Sequence, residues 1–430
     1  MPELGPSPLT RGDELPVSAA RAAIAAALQA RAPAHRTEWL PLQQSSGRVL
    51  AQDLISPIAV PAHDNSAMDG YAFRGSDLHP DADTVLRTAT GTVMAGAPHS
   101  GALAPGQCIR IMTGAVMPDG LDTVVPIELC QLHGEQLRIA HGVLRSGENR
   151  RRRGEDLGQG SVALQAGRVL RPADVGLAAS LGLAQLQVMQ RLRVALFSTG
   201  DELRQPGDAL APGCIYDSNR FCLMAALQRL GVEVHDLGAV PDDPAALRAT
   251  LNAAVSRCDA VITSGGVSMG DADYTRDLLS EMGEVSFWNV AMRPGRPFAF
   301  GPLRAPDGRT PFLFALPGNP VAALVTFYAF ARDALMVLAG ANPVPLPVLR
   351  ARSVAAIRKR PGRTEFQRAV VYQAPGADVE GEWQVRVTGG QGAGILRSMS
   401  EANALLVLGH EQGSVAAGER VEVWLFDGLV

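Results

Sequence analysis

Between Arg191 and about Gly340, short apolar runs of strand length alternate with stretches of helical period. The pattern predicts strands at 193–198, 232–237, 259–263, 284–290 and 311–316, and helices at 218–230, 243–256, 273–282 and 320–339. Such alternation makes a doubly wound, mostly parallel α/β sheet with helices on both faces. Upstream, residues 16–33 form an Ala-rich amphipathic pattern that Pro33 ends. From about 56 to 147 the texture changes to short β-prone runs between Gly and Pro, such as Gln107-Cys-Ile-Arg-Ile-Met112 and Thr123-Val-Val-Pro-Ile127. This predicts a compact β-rich module, closed by the basic knot Arg150–Arg153. A Pro-rich linker at 341–347 leads to short strands at 348–356, 364–373, 383–388, 404–408 and 419–425, the texture of a small β-barrel or sandwich.

The 430 residues suffice for about two to four domains. A formal net charge of −4 gives no global electrostatic case for nucleic acid. Lys359 is the sole lysine; every other basic residue of the Lys/Arg type is arginine. Five scattered cysteines without a C-x-x-C pair argue for a reducing compartment and against a zinc site or disulfide framework. The first residues lack the basic and apolar regions of a signal peptide. The longest apolar stretch, around Ala322 to Phe330, is broken by Arg332 and Asp333. The expectation is a cytoplasmic protein that binds neither membrane nor nucleic acid.

In an open α/β sheet, ligands bind beyond the carboxyl ends of the strands. The predicted strands are followed by Ser198-Thr-Gly-Asp-Glu202, Pro241-Asp-Asp-Pro244, Ser264-Gly-Gly-Val-Ser-Met-Gly270 with Asp271 and Asp273, Arg293-Pro-Gly-Arg-Pro297, and Leu316-Pro-Gly-Asn-Pro320. A glycine-rich loop entering a helix points backbone N–H groups at an oxyanion, and Ser264, Gly265, Gly266 and Ser268 are its candidates. Read locally, Asp271 and Asp273 either cap the following helix or bridge to phosphate through Mg²⁺. Glu202, Asp242 and Asp273 can hold divalent cations, and Arg293 and Arg296 anionic oxygens. None of the eight histidines lies in these loops, so no Ser-His or Cys-His pair forms there, which argues against covalent catalysis, and there is no Walker A ending. Outside this region, the polar run His63 to Tyr71 reads equally as a Gly/Asp turn, and Arg150–Arg153 as a solvated face.

Six strings occur in order: Asp64-Asn-Ser-Ala-Met-Asp-Gly-Tyr-Ala72, Arg110-Ile-Met-Thr-Gly-Ala115, Asn149-Arg-Arg-Arg-Arg-Gly-Glu-Asp156, Phe197-Ser-Thr-Gly-Asp-Glu202, Ser264-Gly-Gly-Val-Ser-Met-Gly270 and Leu316-Pro-Gly-Asn-Pro320. Together they resemble the MoeA family, the molybdopterin molybdenumtransferases, related to the gephyrin E domain. The match runs from about residue 15 to the C-terminus. The resemblance implies an elongated N-terminal domain (10–55 plus 148–190), an inserted β-rich domain (56–147), a molybdopterin-binding α/β domain (191–341) and a C-terminal β-barrel (342–430). It implies insertion of molybdate into adenylylated molybdopterin with release of AMP and a divalent cation, expected to be Mg²⁺. It also implies a homodimer whose active site lies between subunits, and a molybdopterin adenylyltransferase as transfer partner. By residue matching, Asp69, Thr113, Asp156, Glu202, Asp242, Asp273, Pro317 and Pro320 take catalytic importance. Glu202 and Asp273 match the metal carboxylates, while Ser264, Gly265, Gly266, Ser268, Arg293, Arg296 and Arg368 are assigned to substrate.

The chain departs from the family pattern at several points. Arg293 and Arg296 stand where relatives carry lysines, in keeping with the near-absence of lysine here. Ala322 and Ala393 stand where the family has serines, removing two hydroxyls near the expected anion pocket; neighbouring backbone N–H groups are expected to suffice. Two other readings of the same fold are a molybdopterin adenylyltransferase and a non-catalytic scaffold. Intact Glu202 and Asp273 argue against the scaffold.

Overall fold

The computed structural model describes residues 14–31, 36–266, 273–373 and 382–429. At its centre lies a six-stranded sheet in the order Glu233–Val240, Arg193–Thr199, Ala260–Ser264, Phe312–Leu316, Pro297–Pro302, Ser286–Asn289. The first four strands are parallel. Their side chains alternate between two cores, as strands covered on both faces require. Val194, Leu196 and Ile262 face the helices Ser218–Arg229 and Pro320–Thr326. Ala195, Phe197 and Val261 face Pro244–Arg257 and Asp273–Met282. Phe312 and Phe314 are fully buried, and each such side chain contributes roughly 1.5–3 kcal/mol.

The helix starts are written locally. Asp217 caps Ser218–Arg229 by accepting from the Arg220 N–H, and Asp243 caps Pro244–Arg257 by accepting from the Ala246 N–H. The strand expected at 284–290 is present as Ser286–Asn289, but it departs from the parallel direction. Ser286–Asn289 forms an antiparallel hairpin with Pro297–Pro302, a strand the sequence pattern hid, and the latter runs antiparallel to Phe312–Leu316. Two prolines bracket that Phe-Ala-Phe-Gly strand, which makes it read as loop. The hairpin still delivers its turn, residues 290–296, to the edge where the parallel strands end, since Asn289 pairs with Pro297 and Ala299 with Ala315.

The helix Val17–Ala30 buries Val17, Ala20, Ile24, Ala27 and Leu28 on one face. That face joins the same core as Leu227, Phe330 and Leu335. Pro33 lies outside the described residues. Next, three antiparallel pairings align the outgoing and returning chain: Thr37–Pro41 with Gln185–Met189, Leu54–Ile55 with Val162–Leu164, and Asn65–Ser66 with Arg150–Arg151. Between them a second six-stranded sheet is inserted, from Gly70–Phe73 to Gln136–Ile139.

At the C-terminus five strands close a barrel. Thr364–Gln373 pairs with both Trp383–Val387 and Ala404–Leu408, and Met292–Arg293 adds to it in parallel, tying the barrel to the central domain. Within the barrel, Lys359 is buried, and its ammonium donates to the carbonyls of Gln412 (2.6 Å), His410 and Arg360 (3.3 Å each). The apolar helix Pro320–Leu338 is long enough to cross a membrane, but it is mostly buried inside the central core and carries a π-turn at Phe327–Ala331.

Candidate active site

The chain order of the parallel strands reverses between Arg193–Thr199 and Ala260–Ser264, which opens a crevice at their carboxyl ends. A cleft of about 790 Å³ occupies this place. Its floor is Thr199, Gly200, Gly265 and Gly266, and Pro317, Gly318 and Asn319 follow from the next strand. Gly265 (φ +96°) and Gly266 (φ +70°) both take left-handed backbone, so the chain turns sharply over Thr199. A Cβ on Gly265 would lie 2.6 Å from the Thr199 carbonyl oxygen. The Thr199 hydroxyl is buried without a hydrogen-bond partner among the described residues, a polar atom left for a ligand at the cleft floor.

Charge is divided across this cleft. Glu202 and Asp242 line it from neighbouring strand ends, while Arg293, Arg296 and Arg363 line it from the hairpin turn and the barrel. Arg296 Nε lies 2.9 Å from Glu14 Oε1 in an ion pair, and Arg363 Nε donates to the buried Glu365 at 2.9 Å. Gly295 (φ +97°) lets the hairpin turn pack on the Thr326 hydroxyl, which a Cβ would approach to 2.3 Å.

A buried polar frame holds the edge from beneath. Asn219 Nδ2 donates to Ser264 Oγ (2.7 Å) and to the Gly318 carbonyl (2.6 Å), and Ser264 Oγ donates to the Pro317 carbonyl (3.2 Å). Behind it, Ser198 Oγ donates to Asp217, which also accepts from Arg220 Nε at 3.0 Å; Arg220 continues to Asp236. Asp217 and Arg220 are 1% and 3% exposed, so the pair is desolvated and fully bonded. Sequence reasoning missed Asn219, Asp217 and Arg220. The available signal was the run Asp217-Ser-Asn-Arg220 opening a helix directly after a strand-end loop.

A second polar cluster forms on the inserted module. Asp69 Oδ1 accepts from both the N–H (2.7 Å) and the hydroxyl (2.6 Å) of Thr113, bonds that hold its carboxyl below the ordinary aspartate range. Asp64 accepts from the Arg153 N–H at 2.7 Å, and Ala67 N–H donates to the Asn149 carbonyl. Three strings far apart in sequence, 64–72, 110–115 and 149–156, are thereby hydrogen-bonded to one another. Asp69, Thr113 and the exposed Asp156 do not line the 790 Å³ cleft of their own chain.

Three family descriptions match in order: MoeA N-terminal region (domain I and II) over residues 15–182, probable molybdopterin binding domain over 195–337, and MoeA C-terminal region (domain IV) over 350–426. The chain is 40% identical to a molybdopterin molybdenumtransferase of Haemophilus influenzae, covering 92% of this chain and 95% of that one. The chain belongs to the MoeA family. It is a transferase of molybdenum cofactor biosynthesis. Identity to molybdopterin molybdenumtransferase 2 of Mycobacterium tuberculosis is 36%, over 90% of this chain and 94% of the relative. The crystal structure of the molybdopterin biosynthesis MoeA protein from Pyrococcus horikoshii superposes with a TM-score of 0.77 at 26% identity, covering 96% of this chain and all of that one.

Among the family-matched positions, the cleft gathers Glu202, Asp242, Gly265, Gly266, Arg293, Arg296 and Pro317, while Ser264 and Pro320 line an adjoining recess of about 340 Å³. Ser268 lies outside the described residues. Asp273 begins the Asp273–Met282 helix, with its side chain outside the description. Arg368 does not line the cleft: its guanidinium is 1% exposed and donates to Ser398 Oγ (3.0 Å) and the carbonyls of Gly390 (3.1 Å) and Gly392 (2.9 Å). Burial, aided by Arg293, pulls this guanidinium down to about 10. In this MoeA chain Arg368 shapes the loop that carries Gln391 and Ala393 to the cleft. Ala322 and Ala393 both line the cleft, joined by a Val321 N–H to Ala393 carbonyl bond, so both missing hydroxyls belong to the same wall.

Among the described residues no three His, Cys, Asp or Glu side chains group as a metal site. The donor set still suits Mg²⁺, which takes oxygen ligands and is commonly held by one or two carboxylates with waters and substrate phosphates. Glu202 and Asp242 are such carboxylates, on the same cleft as three guanidinium groups.

Proposed function

We propose that this enzyme inserts molybdate into adenylylated molybdopterin and releases AMP, with Mg²⁺ held by Glu202 and Asp273 and with Asp242 beside them. The observation that carries this reading is the charge division of the cleft: carboxylates on the strand ends, guanidinium groups opposite, and a left-handed Gly265-Gly266 floor between. Breaking an adenylyl phosphoanhydride requires negative charge to be neutralised on phosphate, and molybdate is a dianion that needs N–H, hydroxyl or cationic donors. Carboxylates repel both, so they belong to the metal, and Arg293, Arg296 and Arg363 to the anions. Bound Mg²⁺ would supply Lewis-acid neutralisation of phosphate charge. The test is AMP release from adenylylated molybdopterin with Mg²⁺, with and without molybdate. Molybdate-dependent release is expected. No release, or formation of the adenylylated compound from ATP, would overturn the proposal.

The active unit is proposed to be a homodimer in which Asp69, Thr113 and Asp156 of one subunit complete the cleft of the other, fed by a molybdopterin adenylyltransferase. Their absence from the cleft lining of their own chain supports this reading. Mixing unfolded and refolded Asp69→Asn with Glu202→Gln subunits should restore about a quarter of the sites, because half of the dimers are mixed and each holds one intact site. No recovery would place all the groups on one chain.

A further inference from the structure

We infer that Glu14 is a positioning residue for Arg296, fixing its guanidinium so that the Nη edge faces the oxyanions in the cleft. The inference rests on the function proposed above. Both partners stand on one rigid platform. The Leu15 N–H donates to the Asn289 carbonyl (2.7 Å), the Ala291 N–H donates to the Leu15 carbonyl (2.8 Å), and the Val290 N–H donates to the Arg296 carbonyl (2.8 Å). Leu15 is buried in the central core, so the residue before it has little room to wander. From these two anchored backbones the side chains meet, Arg296 Nε to Glu14 Oε1 at 2.9 Å.

The chemistry depends on residue 296 being arginine. A guanidinium has distinct edges: Nε can be spent on one carboxylate while both Nη groups remain for a second anion. An ammonium has no such division. Arg296 lines the cleft, and its side chain is 56% exposed, so without Glu14 it would sample many rotamers. Holding one such side chain in place is worth roughly 3–10-fold in affinity for a ligand. The opposing effect is repulsion between the Glu14 carboxylate and the bound anion, which solvent and salt screen at this exposed position. Positioning therefore outweighs repulsion.

Glu14→Ala and Glu14→Gln separate the two effects, because glutamine keeps the side-chain oxygen that touches Nε but carries no charge. In the full-length enzyme, Glu14→Ala should raise KM for adenylylated molybdopterin and Kd for molybdate alone by about 3–10-fold, with kcat and unfolding temperature unchanged. Glu14→Gln should stay within about 2-fold of the unaltered protein. In an Arg296→Ala background, Glu14→Ala should have no further effect. Tighter binding in both Glu14 variants, an unchanged KM in Glu14→Ala, or an effect that persists without Arg296 would each overturn the inference. If the unaltered protein releases no AMP with molybdate, the proposed function and this inference fall together; if it turns over and Glu14→Ala matches it, only the inference falls.

Discussion

The sharpest structural prediction concerns the two left-handed glycines and how differently they meet Thr199. At Gly265 an added methyl would sit 2.6 Å from the Thr199 carbonyl oxygen and 2.8 Å from its hydroxyl; at Gly266 it would meet only the hydroxyl, at 3.1 Å. Alanine in left-handed backbone costs about 1–2 kcal/mol by itself. At Gly266 a small rotation of the Thr199 side chain relieves the remaining contact, so Gly266→Ala should cost about 1–2 kcal/mol in total. At Gly265 the obstacle is main chain, at the carboxyl end of a parallel pair whose last partners are Ser198 and Ser264. Strand separation must be added there, and the total should reach about 3–4 kcal/mol. Chemical denaturation of each variant, alone and with Thr199→Ala, measures both. Thr199→Ala should recover most of the non-conformational loss in Gly266→Ala and little of that in Gly265→Ala. Equal recovery in the two, or a Gly265→Ala loss below about 1 kcal/mol, would refute the claim that this backbone contact sets the cleft floor.

Other outcomes follow from the same geometry. Glu202→Gln should reduce molybdate-dependent AMP release by about 10²-fold or more with unchanged unfolding, since Glu202 is exposed on the cleft. Asp217→Asn removes one of the two carboxylates that neutralise the buried Arg220, leaving Asp236, and should cost about 1–3 kcal/mol by denaturation. Thr113→Val removes the hydroxyl bond at Asp69, so the Asp69 carboxyl should titrate closer to its ordinary value of about 3.9 in a carboxyl-resolved NMR titration. The sign is fixed by the depressed folded value: the contribution of Asp69 to stability is complete above about pH 3.9 and is lost as pH falls through the folded value. Lys359→Arg should destabilise by about 1–3 kcal/mol despite keeping the charge, because a planar fork cannot place three donors on carbonyls that converge on one ammonium.

Much of the central domain was legible because strands covered on both faces, such as Arg193–Thr199, read as unbroken apolar runs, and capping residues such as Asp217 and Asp243 stand at the helix starts. The Pro297–Pro302 strand was not legible, since its pairing is non-local and its prolines mimic a turn. Site residues carried by strand ends could be placed by topology, as Glu202 and Gly265 show. Residues acting through partners could not. Arg368 looked like an anion ligand because arginine commonly is one, and only its three hydrogen bonds reveal that the barrel consumes it internally. Arg363 lines the cleft from the barrel, and Glu14 meets the cleft residue Arg296 from the N-terminal segment, juxtapositions no local pattern encodes.

The cage around Lys359 gives the folded surface an unusual chemical property. With the only lysine 6% exposed and its nitrogen committed to three carbonyls, the described surface offers no accessible ε-amine to acylating reagents or amine-directed cross-linkers. Acylation at position 359 would therefore count molecules whose barrel has opened. One residue makes the chain its own site-specific clock for local unfolding of the barrel, without any engineered label.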